Sequence, residues 1–293
     1  MHIIAREVMD LRVLLYGGDA RTAMLAQLLI SDGDEVSCYA LENAALPDGA
    51  RHAQSAADFD CVLLPVPAGT NGRLTAPFSQ RPHELTEVVS ALSPGTLLCG
   101  GKLPEPLVTA AKKRGAAVFD ILSDPAFTVG NAEVTAEAAV SLLMAALKKT
   151  LAESRVLIVG YGRIARLLSA KLRALGVAVC VLSRSAQSRA MARALGCTSL
   201  APDAPPEALS RFDAAVNTAP APFALPMSGF DRKCLLLELA SAPYGFDAED
   251  AVECGLSYRL CTGLPGKYAP ESAAGLIFRA VKNKMEEISH GKA

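Results

Sequence analysis

The feature that most constrains this sequence is a glycine-rich turn near the middle of the chain. The apolar run Arg155–Val159 leads directly into Gly160-Tyr161-Gly162-Arg163-Ile164-Ala165, and an amphipathic stretch follows. A second apolar run, Val177–Leu182, comes after that stretch. The spacing G-x-G-x-x-A between a buried strand and a helix, inside a β-α-β unit, is typical of a dinucleotide-binding turn.

Each position of this turn has a physical role. Gly160 permits a tight turn, Gly162 lets the backbone approach a pyrophosphate, and Ala165 allows helix and strand to pack closely. The backbone N–H groups of Arg163 and Ile164 then lie at the positive end of the helix, where phosphates bind. The alternative is a glycine-rich turn that binds nothing.

The residues after the next strand bear on the choice of nucleotide. NAD-binding chains usually place Asp or Glu there to accept a hydrogen bond from the ribose 2′-hydroxyl, whereas this chain has Ser183-Arg184-Ser185. Arg and Ser can donate to a 2′-phosphate, so we predict NADP(H) in preference to NAD(H). The alternative is that Arg184 only stacks on adenine or faces solvent.

Two further strand ends are expected to line the nicotinamide side, because ligands bind at the carboxyl ends of parallel strands. Asn217 and Thr218 follow one strand, and Ala240 and Ser241 follow the next. The alternative is that these are ordinary loop and cap residues.

Strand and helix patterns alternate along the whole chain, which predicts an α/β protein with two domains, each a doubly wound parallel sheet. The second is expected to be a Rossmann NAD(P)-binding domain over residues 151–269. Residues 1–131, joined by a C-terminal helix over about 270–293, should form the first domain. A long helix over 131–150 is expected to bridge them, with 132–150 outside both domains.

Composition excludes several classes of function. The net charge of −1 gives no field that would attract nucleic acid, and no apolar run reaches the roughly 18 residues of a membrane span. No secretory leader is recognisable, and the eight cysteines form no C-x-x-C pair. We therefore predict a cytoplasmic protein with buried, reduced thiols and no metal site.

Candidate substrate groups follow several predicted strands. The first domain has no Ser/His/Asp spacing, but its strand-end loops and one in the second domain carry cations and polar groups. The predicted substrate-binding residues are Arg21, Thr70, Asn71, Lys102 and Lys267. Such donors favour a carboxylate-bearing ligand, although each alone could be a plain surface residue. Asp19, Asp124 and Glu137 are the candidate acid/base groups.

Several motifs together resemble one family. GGDAR, LP-x-P, NAEVTAE, GYGRIA, LELASAPYGFD and LPGKYAPESAAGLI are similar to segments of the A subunits of bacterial dipicolinate synthases. The resemblance spans nearly the whole chain, and the layout also resembles D-2-hydroxyacid dehydrogenases.

The resemblance implies an NADP-linked enzyme that works with a second, flavoprotein-like B subunit. The implied substrate is dihydrodipicolinate or its hydroxy-tetrahydro precursor, and the product is pyridine-2,6-dicarboxylate, made in the mother cell during endospore formation. A small dicarboxylate agrees with the basic groups identified above.

The sequence departs from the family pattern in one stretch and leaves two alternatives open. Where the family is expected to have Asp in the strand and a Gly pair after the Pro, this chain has Glu238 and Pro243-Tyr244-Gly245. One alternative is a divergent D-2-hydroxyacid dehydrogenase, although no His lies where its general acid is expected. The other is a non-catalytic NADP-binding subunit that supports its partner. A homo-oligomer is compatible with the sequence.

Overall fold

The structure of the protein is a computed structural model that describes residues 11–53 and 59–290. The described residues divide into two compact units, one within Met1–Asn131 and Ala269–Ala293 and the other formed by Ala132–Tyr268. Among the described residues, none of the helices combines the length and apolar character that a membrane span requires.

The first unit is built on a parallel sheet. Its described strands are β1 (Arg12–Tyr16), β2 (Glu35–Tyr39), β3 (Arg51–His52), β4 (Cys61–Leu63), β5 (Gly69–Thr70), β6 (Arg73–Leu74), β7 (Leu97–Gly100) and β8 (Ala117–Asp120). The order in the sheet is β3-β2-β1-β4-β7-β8, and β5 and β6 form a separate antiparallel hairpin. The helices are α1 (Ala20–Ser31), α2 (Glu105–Lys113) and the start of α3 (Pro125–Ala146).

The second unit repeats this plan. Its strands are β9 (Arg155–Val159), β10 (Ala178–Leu182), β11 (Thr198–Leu200), β12 (Ala214–Asn217), β13 (Leu235–Glu238) and β14 (Ser257–Leu260). They are all parallel, in the order β11-β10-β9-β12-β13-β14. The helices are the part of α3 that follows Asn131, α4 (Arg163–Ala174), α5 (Ala186–Ala194), α6 (Ala248–Glu253) and α7 (Leu264–Tyr268). The chain then enters α8 (Pro270–His290), which belongs to the first unit and packs on α1.

Both sheets are covered on both faces, which explains their unbroken apolar strands. In β1, Val13 and Leu15 join the core beneath α1 and α8, whereas Leu14 and Tyr16 join the core on the opposite face. The strand β9 divides its apolar residues between two cores in the same way. The predicted fold class, two doubly wound parallel sheets with a Rossmann-type second one, is confirmed.

The prediction for the long helix needs correction, and the structure adds short elements that the sequence did not predict. The long helix starts at Pro125 rather than 131 and ends at Ala146. Asp124 caps it, since its Oδ1 accepts hydrogen bonds from the backbone of Ala126 and Phe127, and Pro suits a first helical position. Residues Leu85–Ala91 form a 3-10 helix. The sequence pattern does not predict the β5–β6 hairpin. Other short 3-10 helices are Ile121–Ser123, Leu151–Glu153, Pro206–Ala208 and Met227–Gly229.

The prediction of buried thiols is confirmed for seven of the eight cysteines. All eight cysteines are free, and all but Cys254 are buried. Burial raises the pKa of the Cys38 thiol to about 12 and that of Cys234 likewise to about 12, so these thiols stay protonated near neutrality.

Candidate functional site

The turn after β9 has the conformation that its glycines predict. Gly160 has φ +91°, and a Cβ there would lie 2.9 Å from Thr218 Oγ1 and 3.0 Å from the Ala219 side chain. A residue with a side chain would therefore be unfavourable here for two reasons: the positive φ angle, and the close contacts of its Cβ with Thr218 and Ala219. Ala165, fully buried, lets α4 pack against the sheet.

The start of α4 is open. Gly162 is its N-cap residue, no side chain caps the helix, and a Cβ added at Gly162 would meet nothing within 4 Å. The first backbone N–H groups of the helix, on Arg163 and Ile164, therefore face free space at its positive end. This arrangement fits a phosphate group, which would contact backbone without displacing any side chain.

The residues after β10 form a rigid cationic corner. Arg189 Nη1 donates hydrogen bonds to the carbonyl oxygens of Ser183 at 2.7 Å and Arg184 at 2.9 Å. Ser185 caps α5 by accepting from the Ser188 backbone, and its own N–H donates to Ser183 Oγ. The corner contains no carboxylate.

Arg184 does not extend freely into solvent. Its guanidinium carbon lies 4.7 Å from the centre of the Phe223 ring, a cation–π contact that the sequence did not reveal. Phe223 is itself buried. The contact places the guanidinium against the Phe223 ring at the edge of the site.

The strand ends on the other side of the turn are joined by hydrogen bonds. Thr218 Oγ1 donates to the carbonyl of Val159 at 2.9 Å. Asn217, fully buried, donates from Nδ2 to the Ala219 carbonyl at 3.0 Å and accepts at Oδ1 from the Ala219 N–H. The predicted residues after β12 therefore lie directly beside the turn.

Glu238, at the end of β13, stands out in the sequence only as a departure from the family pattern. Its carboxylate is fully buried and accepts four hydrogen bonds. The donors are Asn217 Nδ2 at 2.6 Å and the backbone N–H groups of Ala240 at 3.0 Å, Gly245 at 2.9 Å and Phe246 at 3.1 Å. Ala240 is buried beside it, whereas Ser241 is exposed.

In the first unit, the partly exposed Asp19 and the buried Arg21 form an ion pair after β1. Arg21 Nη2 lies 2.7 Å from Asp19 Oδ2 and also donates to the carbonyl of Val66 at 2.6 Å. Burial opposes ionisation of Asp19, but the hydrogen bonds and charge of Arg21 outweigh it, and the pKa of Asp19 lies below its usual value. Most of the charge of Arg21 is therefore neutralised by Asp19.

The other substrate candidates of the first unit are exposed. Thr70 and Asn71 occupy the tip of the β5–β6 hairpin, and Lys102 follows β7. Asn71 and Lys102 both have left-handed backbone conformations, with φ of 51° and 56°. The Ala68 N–H donates to the Gly101 carbonyl and the Gly101 N–H donates to the Pro65 carbonyl, so these two loops lie side by side.

The remaining predicted site residues are Asp124, Glu137 and Lys267. Asp124 caps α3. Glu137 is two-thirds exposed and pairs with Lys171, which also binds Glu133. Lys267 is an exposed residue of α7 in the second unit. Within the described ranges, no group of His, Cys, Asp and Glu side chains could hold a metal ion.

A Ser–His–Glu contact that the sequence did not predict occurs in the first unit. His83 Nε2 lies 2.9 Å from Ser79 Oγ, and its Nδ1 lies 3.1 Å from Glu87. The backbone N–H groups of Ser79 and Gln80 already donate to Ala76 O and Glu42. Because they are not left to stabilise an oxyanion, we interpret the cluster as structural rather than acyl-transferring.

An open helix start after a Gly-x-Gly turn, flanked by strand ends on both sides, defines a nicotinamide dinucleotide-binding domain of the dehydrogenase class. Residues 130–222 match the family model described as D-isomer specific 2-hydroxyacid dehydrogenase, NAD binding domain. Residues 12–122 match the model of the N-terminal domain of the dipicolinate synthase A subunit.

One protein similar to this chain along nearly its whole length is the A subunit of a dipicolinate synthase. The chain is 25% identical over 292 residues to that protein of Bacillus subtilis (strain 168), covering 95% of this chain and 97% of the relative. The resemblance predicted from the motifs is confirmed.

Solved structures agree in fold. The dipicolinate synthase A subunit from Bacillus halodurans has a TM-score of 0.82 at 23% identity, covering 94% of this chain and 98% of that one. Its counterpart from Bacillus subtilis has a TM-score of 0.81 at 23% identity, covering 97% and 98%. A transhydrogenase from Sinorhizobium meliloti has a TM-score of 0.65 at 16% identity, covering 94% of each chain.

Proposed function

We propose that this protein is an NADP-linked oxidoreductase that forms pyridine-2,6-dicarboxylate from dihydrodipicolinate or its hydroxy-tetrahydro precursor. The observation that carries the proposal is the open Gly160–Ala165 turn in a chain related along 95% of its length to the A subunit of dipicolinate synthase. The proposal includes a flavoprotein-like B subunit as the partner and the cytoplasm of the mother cell of a sporulating bacterium as the location.

The residues of the second unit fit the nucleotide. The pyrophosphate would bind the backbone of Gly162, Arg163 and Ile164, where no side chain stands in the way. A 2′-phosphate would accept hydrogen bonds from the Ser183–Ser185 corner, and Arg184 would contribute the positive charge. The absence of a carboxylate at this corner favours NADP(H) over NAD(H).

The substrate would bring two carboxylates, which need cationic or polar donors. In the first unit we assign this role to Lys102 with Thr70 and Asn71, since all three are exposed on adjoining loops. Arg21 would contribute mainly through the geometry of its loop, because Asp19 neutralises it. Lys267 of the second unit is a further candidate donor.

The chemistry asks little of the protein beyond positioning, because forming an aromatic ring supplies driving force. When bound, the nicotinamide supplies the acceptor for a hydride from the substrate ring. The accompanying proton needs an acceptor, and Asp19, Asp124 and Glu137 each have a structural role. We therefore propose that water or the flavoprotein-like partner takes the proton.

Calorimetry with NADPH and NADH tests the cofactor assignment. We expect NADPH to bind at least tenfold more tightly, about 1.4 kcal/mol, and dipicolinate to strengthen the binding. The variant Gly162→Ala should weaken both nucleotides about tenfold, because its Cβ enters space that is empty in the protein and that the pyrophosphate would approach. Since Ala is a poorer N-cap residue than Gly, the variant should also lose about 1 kcal/mol or less of stability. Absence of nucleotide binding by the wild type would refute the proposal.

A second candidate function is a non-catalytic NADP-binding subunit, favoured by the structural engagement of all three candidate acid/base carboxylates. Assays of dihydrodipicolinate oxidation in the presence of the flavoprotein-like B subunit separate the two. Turnover that requires this chain supports the oxidoreductase. Tight NADPH binding without turnover supports the alternative, and oxidation of NADPH by a small 2-keto acid with this chain alone would indicate a hydroxyacid dehydrogenase instead.

A further inference from the structure

The buried carboxylate of Glu238 has an unusual set of partners. It is fully buried, yet its four hydrogen bonds come from one amide side chain and three backbone N–H groups. In the part of the chain that the structure describes, none of the ion pairs involves Glu238. A buried carboxylate needs such donors to offset its lost hydration, and here backbone dipoles provide them.

These hydrogen bonds join two loops that are separate in sequence. The donors Ala240, Gly245 and Phe246 belong to the loop after β13, whereas Asn217 lies at the end of β12. Asn217 in turn fixes Ala219 through two hydrogen bonds. Ala219 lies where a Cβ on Gly160 would touch it, so the network reaches the nucleotide turn itself.

The loop after β13 packs closely against Asn217. A Cβ added to Gly245 would lie 2.4 Å from Asn217 Nδ2 and 2.5 Å from its Cγ. Loop 239–246 can therefore approach β12 this closely only with glycine at position 245. The negative charge also acts on its surroundings: burial and then Glu238 raise the pKa of Tyr258 to about 12.

The strand order places this network on one side of the turn. The Ser183–Ser185 corner follows β10, on one side of β9, whereas β12 and β13 lie on the other. A dinucleotide whose pyrophosphate binds the β9–α4 turn would place its adenosine above β10 and its nicotinamide above β12 and β13.

We propose that Glu238 is a positioning residue that holds the loops after β12 and β13 in the arrangement that receives the nicotinamide half of the cofactor. This role rests on the proposed nucleotide binding. It requires a carboxylate, because only acceptor oxygens can satisfy four converging N–H groups. In Glu238→Gln, the N–H groups of the new amide would face N–H groups that now donate to the carboxylate, so hydrogen bonds would be lost. In Glu238→Asp, the carboxylate would stand one methylene further from the loop.

The test compares a whole dinucleotide with its adenosine half. Kd values for NADPH and for adenosine 2′,5′-bisphosphate are measured by calorimetry for the wild type, Glu238→Gln and Gly245→Ala. Gly245→Ala disturbs the same loop by steric overlap and leaves Glu238 in place. Glu249→Gln, an exposed carboxylate on α6, is the matched control, and melting curves report the fold of each variant.

We expect Glu238→Gln and Gly245→Ala to weaken NADPH binding about tenfold or more and to change adenosine 2′,5′-bisphosphate binding by less than about twofold. Equal losses for both ligands would overturn the positioning role and make Glu238 a general structural residue. Unchanged NADPH binding in a folded Glu238→Gln variant would overturn it too. A wild type that binds neither ligand would instead refute the nucleotide-binding function on which the role depends.

Discussion

Replacing Asp19 by Asn tests the account of the buried pair in the first unit. The side chain of Arg21 is 7% exposed and that of Asp19 is 27% exposed. Asn keeps a good N-cap oxygen for α1, so the substitution removes the charge while retaining the cap. It leaves the Arg21 guanidinium buried without its counterion.

The magnitude follows from this burial. Breaking a fully buried pair costs about 3–5 kcal/mol. Because Asp19 is partly exposed, we expect a loss of about 2–3 kcal/mol in the free energy of unfolding. At about 2–4 °C per kcal/mol for a unit of this size, the melting temperature should fall by about 4–12 °C.

The effect should also depend on pH. The pKa of Asp19 is lowered in the folded state, so its contribution is present above the unfolded value of about 3.9 and is lost as pH falls through the folded value. The difference between wild type and D19N should therefore be constant near neutrality and shrink below about pH 4.

Urea unfolding at several pH values measures both effects. The matched control is Arg73→Gln, which breaks an exposed contact of 3.8 Å with Glu84 and should cost less than about 1 kcal/mol. A D19N loss no larger than that of the control would refute the buried-pair account. If Asp19 instead took the substrate proton, turnover by folded D19N would fall about 100-fold or more.

Three other substitutions test the nucleotide site and the C-terminal helix. Gly160→Ala should lower stability by about 1–3 kcal/mol and abolish nucleotide binding, because φ is +91° and the new Cβ would lie 2.9 Å from Thr218 Oγ1; calorimetry and melting curves measure this. Arg184→Asp should change the ratio of NADPH to NADH affinity at least tenfold in favour of NADH. Lys282→Met should cost about 3 kcal/mol in urea unfolding, because Lys282 Nζ lies 2.9 Å from Oδ1 of the buried Asp34.

For each of these three substitutions, a specific outcome would contradict the prediction. Normal nucleotide binding by Gly160→Ala would contradict the steric argument for the turn. For the selectivity change, Arg193→Asp on α5 is the control, and an Arg184→Asp variant with the wild-type preference would contradict the assignment of the corner. Lys284→Met alters an exposed ion pair on the same helix as Lys282; an equal loss in the two variants would show that burial of Asp34 is not decisive.

Much of the fold follows from local sequence. The bounds of β9 are predicted to the residue, because apolar runs between turn residues specify strands buried on both faces. The G-x-G-x-x-A spacing likewise predicts the turn at Gly160, since backbone conformation and helix–strand packing there depend on residues close in sequence. Alternation of strands and helices then predicts the parallel sheets.

The start of α3 and the β5–β6 hairpin were not predicted, because neither produces a clear hydrophobic periodicity in the sequence. The start of α3 depends on the side chain of Asp124, which caps the helix ahead of the apolar periodicity. The β5–β6 strands are two residues long, too short to show an alternating pattern.

The partners of the site side chains were decided only by tertiary structure. Arg184 stacks on Phe223, 39 positions along the chain, and Glu238 gathers donors from two loops. Arg21 has the charge expected of an anion-binding residue, but Asp19 and Val66 occupy its guanidinium. The sequence determines which groups are present and which local conformation carries them. Which group faces which depends on the path of loops between neighbouring strands, and in a buried site those contacts decide whether a charge is free, neutralised or used to hold a loop.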